Sequence, residues 1–173
     1  MTEADPPAEP IILTLAMDED ARAHFQALRD EHFPPALNRV PAHLTLFHAL
    51  PDDEAEVRRV VEKACRAREP FDVRVTELRS LGRGVAYRCE ATALDELRAE
   101  IAGAFADRLT RQDAQGFRGH VTVQNKVTGE TAKRTLEALS RGFEPWSFTA
   151  LGVDLWHYVG GPWRAIGRVE LGK

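Results

Sequence analysis

One tripeptide pattern occurs twice in this chain: His-x-Thr, as His43-Leu44-Thr45 and as His120-Val121-Thr122. Each copy sits in a short run that alternates polar with apolar residues, AHLTLFH over Ala42 to His48 and GHVTVQ over Gly119 to Gln124. Such alternation predicts strands, on which residues i and i+2 leave the same face. His43 and Thr45 are therefore expected to project together, as are His120 and Thr122, while Leu44, Leu46, Val121 and Val123 point into a core. Each motif mounts one titratable ring and one hydroxyl on a rigid, apolar-backed element.

The elements around the motifs repeat in order. Ile11 to Ala16 predicts a strand, and Asp18 to Phe33 a helix with acidic residues in its first turn. Ala21, Phe25 and Leu28 share one face of that helix, and Pro34-Pro35 stops it. After the first motif come a helix over Asp53 to Arg68, with Val57, Val60, Val61 and Ala64 on one side, and a half-buried strand over Phe71 to Leu78. The second half starts with a strand over Val85 to Glu90. A helix capped by Thr92 then carries the apolar stripe Leu94, Leu97, Ile101, Phe105 and Leu109. The second motif strand leads to a helix over Glu130 to Arg141, stopped by Gly142, and a long strand over Trp146 to Tyr158. One more strand, Trp163 to Leu171, follows the Gly160-Gly161-Pro162 turn.

The motif histidine lies 32 residues after the start of the first half and 35 after the start of the second. The next strand begins 28 residues after His43 and, counted to Ser147, 27 after His120. Order and spacing together predict an α+β, bilobal fold: duplicated β-α-β-α-β units with antiparallel sheets facing across a central cleft. Residues 1–10, acidic and proline-rich, read as a flexible N-terminal tail. Residues 11–173 read as a single domain, with lobes of approximately 11–80 and 81–173.

Composition narrows the function classes. A chain of 173 residues that is 43% hydrophobic is globular rather than disordered, and no apolar run approaches the ~20 residues needed to span a bilayer. The first ten residues do not read as a secretory signal, so a cytoplasmic protein, not a membrane one, is expected. Cys65 and Cys89 are too few for a disulfide framework or a four-cysteine zinc site. A net charge of −4 argues against a broad footprint on duplex DNA, while leaving room for a nucleotide or RNA end in one local pocket. Nothing in the sequence requires more than a monomer.

If the lobes pack about a pseudo-twofold axis, the two His-Thr pairs meet across the cleft. Histidine titrates near pH 6.5 and serves as acid or base around neutrality. Phosphodiester cleavage needs both roles, and threonine hydroxyls can donate to the non-bridging oxygens where charge persists. The scheme needs no metal or cofactor, and no carboxylate sits within two positions of either motif histidine. A core has no use for a matched pair of histidines, which weighs against a packing role. His48 lies an odd number of positions from His43 and should face away from the site unless a bulge intervenes. His24 and His32 read as solvent or rim residues, and His157, between Trp156 and Tyr158, as structural.

The runs PAHLTLFHAL (Pro41 to Leu50) and RGHVTVQNKV (Arg118 to Val127) resemble the paired motifs of the 2H phosphoesterase superfamily. The closer likeness is to its bacterial 2'-5' RNA ligase-like, or RNA 2',3'-cyclic phosphodiesterase, branch, and it runs from about Ile11 to the C-terminus. It implies hydrolysis of a 2',3'-cyclic phosphate at an RNA 3' end or on a nucleotide to a 2'-phosphate, with reversible 2'-5' ligation in some members. Carried over by motif position, His43 would protonate the leaving 3'-oxygen, His120 would activate water, and Thr45 and Thr122 would hold the phosphoryl oxygens. Two departures stand out. Gly119 replaces the usual proline before the second motif, and Gln124-Asn125-Lys126 stands where many members carry an arginine.

Six further residues are candidates for substrate contact. By alternation Phe47 shares the face of His43 and Thr45, where it either flanks a nucleobase or lines the cleft, and Gln124 shares the face of His120 and Thr122. Lys126 either supplies the missing positive charge or is solvated. Arg118 precedes the second motif and can pair with a phosphate. Tyr158 and Trp163 either stack on a base or belong to the core. Two rival readings remain: a non-catalytic module that binds a nucleotide or RNA end in the same cleft, and a metal-dependent hydrolase using His43 and His120 as ligands.

Overall fold

The computed structural model describes residues 9–172, so residues 1–8 of the expected N-terminal tail lie outside the described residues. Its strands are β1 (Ile11–Met17), β2 (Thr45–Leu50), β3 (Phe71–Ser80), β4 (Val85–Glu90), β5 (His120–Gln124), β6 (Trp146–Tyr158) and β7 (Trp163–Glu170). Its α-helices are α1 (Glu19–His32), α2 (Glu54–Arg66), α3 (Thr92–Ala104), α4 (Arg111–Ala114) and α5 (Gly129–Ser140). Side chains that bond early N–H groups start three of the long helices. Asp18 accepts from Ala21 N at 2.9 Å, Asp53 from Glu56 N at 3.0 Å, and Thr128 from Thr131 N at 3.1 Å.

The second half departs locally from its expected pattern. Thr92 is the first residue of α3 rather than its cap, and the capping position, Ala91, offers no side-chain bond. The expected stripe also breaks. α3 ends at Ala104, and Phe105 and Leu109 lie beyond it, around a 3-10 turn over Ala106–Arg108. Thr110 then caps the short α4, accepting from Asp113 N at 3.3 Å.

The two repeats exchange strands. The sheet order is β2-β1-β6-β3-β4-β5, all antiparallel, with β7 on β6 beyond the stretch that pairs with β3. Each repeat's third strand therefore joins the other repeat's first strand: β6 lies beside β1 and β3 beside β4. A pseudo-twofold axis runs between β3 and β6, where Asp72 pairs with Thr149, 77 positions later. The same interval of 77 separates the motif histidines. The α+β, bilobal and antiparallel architecture is thus one continuous, curled sheet, each half of which contains strands from both repeats.

One face of the sheet is sealed by the helices. Leu13, Leu15, Val73, Val75 and Val121 pack with Phe25 of α1, Val57 and Val61 of α2, and Leu97 and Ile101 of α3 in a common core. Phe25 is fully buried and contributes about 2–3 kcal/mol by leaving water. Burial also pushes the thiols of Cys65 and Cys89 up to about 11 and 12, so both are core residues rather than nucleophiles. No helix among the described residues is long and apolar enough to cross a membrane.

Candidate active site

β2 and β5 are the two ends of the strand order, yet Leu44, just before β2, forms an antiparallel bridge with Val121 of β5. The sheet curls until its ends meet at the motifs. The sense of this bridge sets His43 opposite Thr122 and Thr45 opposite His120. Opposed residues share a face, and positions on the diagonal, such as His43 and His120, have α-carbons ~7–8 Å apart. Leu44 and Val121 are fully buried behind, while His43, Thr45 and Thr122 are half-buried and His120 is exposed. Two imidazoles and two hydroxyls thus leave one small patch of sheet.

Both rings are held alike. His43 Nδ1 lies 2.7 Å from the carbonyl oxygen of Pro41, and His120 Nδ1 lies 3.0 Å from that of Arg118, each two residues upstream. A carbonyl only accepts, so Nδ1 carries the proton and Nε2 is left to the cleft. Gly119 sits against the neighbouring strand. Its carbonyl accepts from Cys89 N at 2.9 Å, and a Cβ there would come within 2.9 Å of the Cys89 carbonyl. The departure from proline at this position therefore answers a close backbone approach.

Trp163, from β7, leans on His43 with ring centroids 4.6 Å apart. Desolvation pushes the His43 imidazole down to about 4, and the charges of Arg29, His48 and His120 act in the same sense against the Pro41 hydrogen bond. In the free protein His43 is neutral at pH 7.

Alternation holds through each motif and fails immediately after it. The β1 partners of Thr45 and Phe47, Thr14 and Leu13, are adjacent, as are the β4 partners of Thr122 and Gln124, Ala86 and Val85. Each motif strand therefore carries a bulge, at Leu46 and at Val123, again 77 positions apart. Phe47 and Gln124 are consequently turned inward and do not face the cleft as alternation predicted. Phe47 is fully buried, and Gln124 is 2% exposed with its side-chain amide donating to Thr135 Oγ1 at 2.8 Å.

Buried arginines catch the carbonyls that lie at these bulges. Arg98 of α3, in the second repeat, donates to Leu46 O at 3.1 Å and to Asp113 O at 2.6 Å, with its guanidinium 4.1 Å from the Phe47 ring centre. Arg29 of α1, in the first repeat, donates to Thr122 O at 3.1 Å. Each repeat's leading helix braces the other repeat's motif strand. Both arginines fall on the apolar faces of their helices, next to Phe25 and Leu97, and that position was their signal in the sequence.

A cavity of about 300 Å3 opens beside Thr45 and His120, lined also by His48, Arg79, Phe117 and Arg118. His48 reaches it because the bulge reverses the alternation. Asp113 of α4 is 1% exposed and accepts from His48 N at 2.8 Å and Ala49 N at 2.9 Å, with His48 Nδ1 at 3.2 Å. Burial alone would raise the Asp113 carboxyl, but these hydrogen bonds outweigh it and hold the group below the usual carboxylate range.

The other candidates are dispersed. Lys126 follows β5 in a left-handed turn, φ 62°, and is exposed away from the cavity lining. Tyr158 pairs with Trp163 across the β6–β7 hairpin and is 45% exposed. His157 is buried, its Nδ1 3.2 Å from Glu9 O. Among the described residues, no group of three or more His, Cys, Asp or Glu side chains is placed to hold a metal ion.

Known structures share this fold. A Thermus thermophilus protein, TT0787, superposes with a TM-score of 0.67 at 14% identity, over 94% of this chain and 98% of that one. Escherichia coli LigT, solved with 3'-AMP, gives 0.59 at 16% identity, over 95% and 99%. A protein described as a phosphoesterase gives 0.60 at 17% identity, over 98% and 100%. At these identities the likeness is one of fold. No curated protein matches the chain. The model of the 2'-5' RNA ligase superfamily matches residues 17–162, a span that contains both motif strands and every bulge and brace described above. The chain belongs to that superfamily, the 2H phosphoesterases.

Proposed function

We propose that this protein opens 2',3'-cyclic phosphates at RNA or nucleotide ends to 2'-phosphomonoesters, without a metal, by acid–base catalysis between His43 and His120. The observation that carries this reading is the Leu44–Val121 bridge, which draws both imidazoles and both threonines to one patch of sheet. LigT has been solved with 3'-AMP, with ATP and with phosphate, and a nucleotide end in the cleft of this chain accords with that. Both histidines come from one chain, so the site is complete in a monomer. In this reading the protein works in the cytoplasm.

In the reaction, His120 Nε2 takes a proton from water as the water oxygen bonds to phosphorus. The P–O3' bond breaks, and the departing 3'-oxygen takes the proton of His43 Nε2. Thr45 and Thr122 donate to the non-bridging oxygens. His43 must be charged to serve as the acid, and the substrate supplies the means. A phosphate anion ~4 Å from the ring is worth about 4 kcal/mol at an effective dielectric of about 20. That is comparable to the cost of protonating a group with a pKa of about 4 at pH 7. With an RNA 5'-hydroxyl in place of water, the same step forms a 2'-5' linkage, which is the reversible ligation of the family.

Purified protein incubated with 2',3'-cyclic nucleotides in EDTA, with products read by 31P NMR, tests the proposal. A 2'-monoester is expected. A 3'-monoester would reverse the assigned leaving group, and tight binding with no product would leave a binding module in place of an enzyme.

A further inference from the structure

The cavity beside His120 carries more positive charge than acid–base chemistry on one phosphorus requires. Arg79 and Arg118 line it, and among the described residues neither is in an ion pair or donates a side-chain hydrogen bond. The carboxylate in the lining is Asp113, which is 1% exposed and spends both oxygens on His48 and Ala49. It orients His48 rather than neutralising the cavity. With Nδ1 directed to Asp113, the ring of His48 keeps Nε2 for the open side, and its side chain is 48% exposed. Arg98 is turned away onto the carbonyls of Leu46 and Asp113. In a chain of net charge −4, two unpaired guanidiniums and an aspartate-backed imidazole around one hollow form a local cationic site, not a general property of the surface.

We propose that this cavity binds a second phosphoryl group of the substrate, remote from the one that reacts, through His48, Arg79 and Arg118. The inference deepens the phosphodiesterase reading and rests on it for what occupies the two motifs. Guanidinium forks match phosphate oxygens, and an imidazole fixed by a buried carboxylate donates from Nε2 in its charged form without reorganising. The volume, about 300 Å3, admits a phosphate with part of its sugar. The preferred substrate is thus a cyclic-phosphate end bearing a further phosphate on the 5' side. That phosphate is either the 5'-monophosphate of a mononucleotide or the internucleotide phosphate of an RNA chain.

Titration calorimetry on the full chain tests this without depending on turnover. Adenosine 2'-monophosphate, adenosine 2',5'-bisphosphate and a dinucleotide ending in a 2'-phosphate serve as the three probes. The bisphosphate or the dinucleotide is expected to bind at least ~10-fold more tightly than the monophosphate. A gain for the dinucleotide identifies an RNA chain as the source of the phosphate, and a gain for the bisphosphate alone identifies a mononucleotide. His48→Gln and Arg118→Gln should each bring the ratio close to one. Arg134→Gln, which removes an exposed charge paired with Glu130, should leave the ratio as it is. Should His48→Gln fail to fold, Arg79→Gln carries the same expectation. Equal affinities for all three probes, or a ratio that survives both Arg118→Gln and Arg79→Gln, would overturn the inference. A phosphate preference in a protein that turns over no cyclic nucleotide would keep this site and remove the phosphodiesterase reading. Turnover with equal affinities would do the reverse.

Discussion

Replacing Trp163 by alanine should return His43 toward ordinary histidine behaviour. The imidazole stands at about 4 instead of 6.5, which is about 3 kcal/mol against its charged form. Desolvation is the largest cause, and the indole 4.6 Å away is the aromatic ring in direct contact with the imidazole. If that indole supplies about a third to a half of the desolvation, Trp163→Ala raises the pKa by about one unit. A pH titration of the imidazole resonances by 1H–15N NMR reads this directly. The same shift has a consequence for stability. Between pH 6.5 and about 4, the unfolded chain binds a proton at His43 that the folded chain declines, so folding stability falls on acidification through that window and levels off below it. The total loss is at most about 3 kcal/mol, and Trp163→Ala should shrink it. A wild-type His43 that titrates near 6.5, or a pKa that does not move in the variant, would refute the claim that this wall governs the ring.

Two further outcomes follow from the bulges and their braces. Phe47→Ala removes a fully buried ring and should cost about 3–5 kcal/mol in chemical denaturation, with KM for a cyclic nucleotide little changed; a tenfold rise in KM at unchanged stability would put Phe47 back on the substrate. Arg98→Gln strands the Leu46 and Asp113 carbonyls, so unfolding free energy should drop by about 1–3 kcal/mol and kcat should fall more than KM rises, with partial rescue by Arg98→Lys.

The sequence displayed the residues of the candidate site more fully than their surroundings. That His43 shares a face with Thr45, and His120 with Thr122, follows from alternation alone, because period two is a property of any extended backbone. Phe47 and Gln124 fail the same rule because a bulge depends on how residues are spaced on the partner strand, which the motif strand does not encode. His48 enters the cavity for that reason. Strand exchange is equally silent, since repeat order fixes the sequence of elements but not which edges pair. Asp113 sits on a four-residue helix and finds its partner 65 positions away, at His48. Arg29 and Arg98 were legible in principle, as charged residues on apolar helix faces, and such positions are occupied only when a buried acceptor waits for them.

The two-histidine reaction is tested most directly by turnover of a 2',3'-cyclic nucleotide in His43→Ala, His120→Ala and the double variant, each checked for folding by circular dichroism. Paired action on one phosphorus predicts a loss of about 100-fold or more in each single variant, with the double variant no worse than the weaker of the two. Near-wild-type turnover after loss of either imidazole, or two losses that simply multiply, would contradict it.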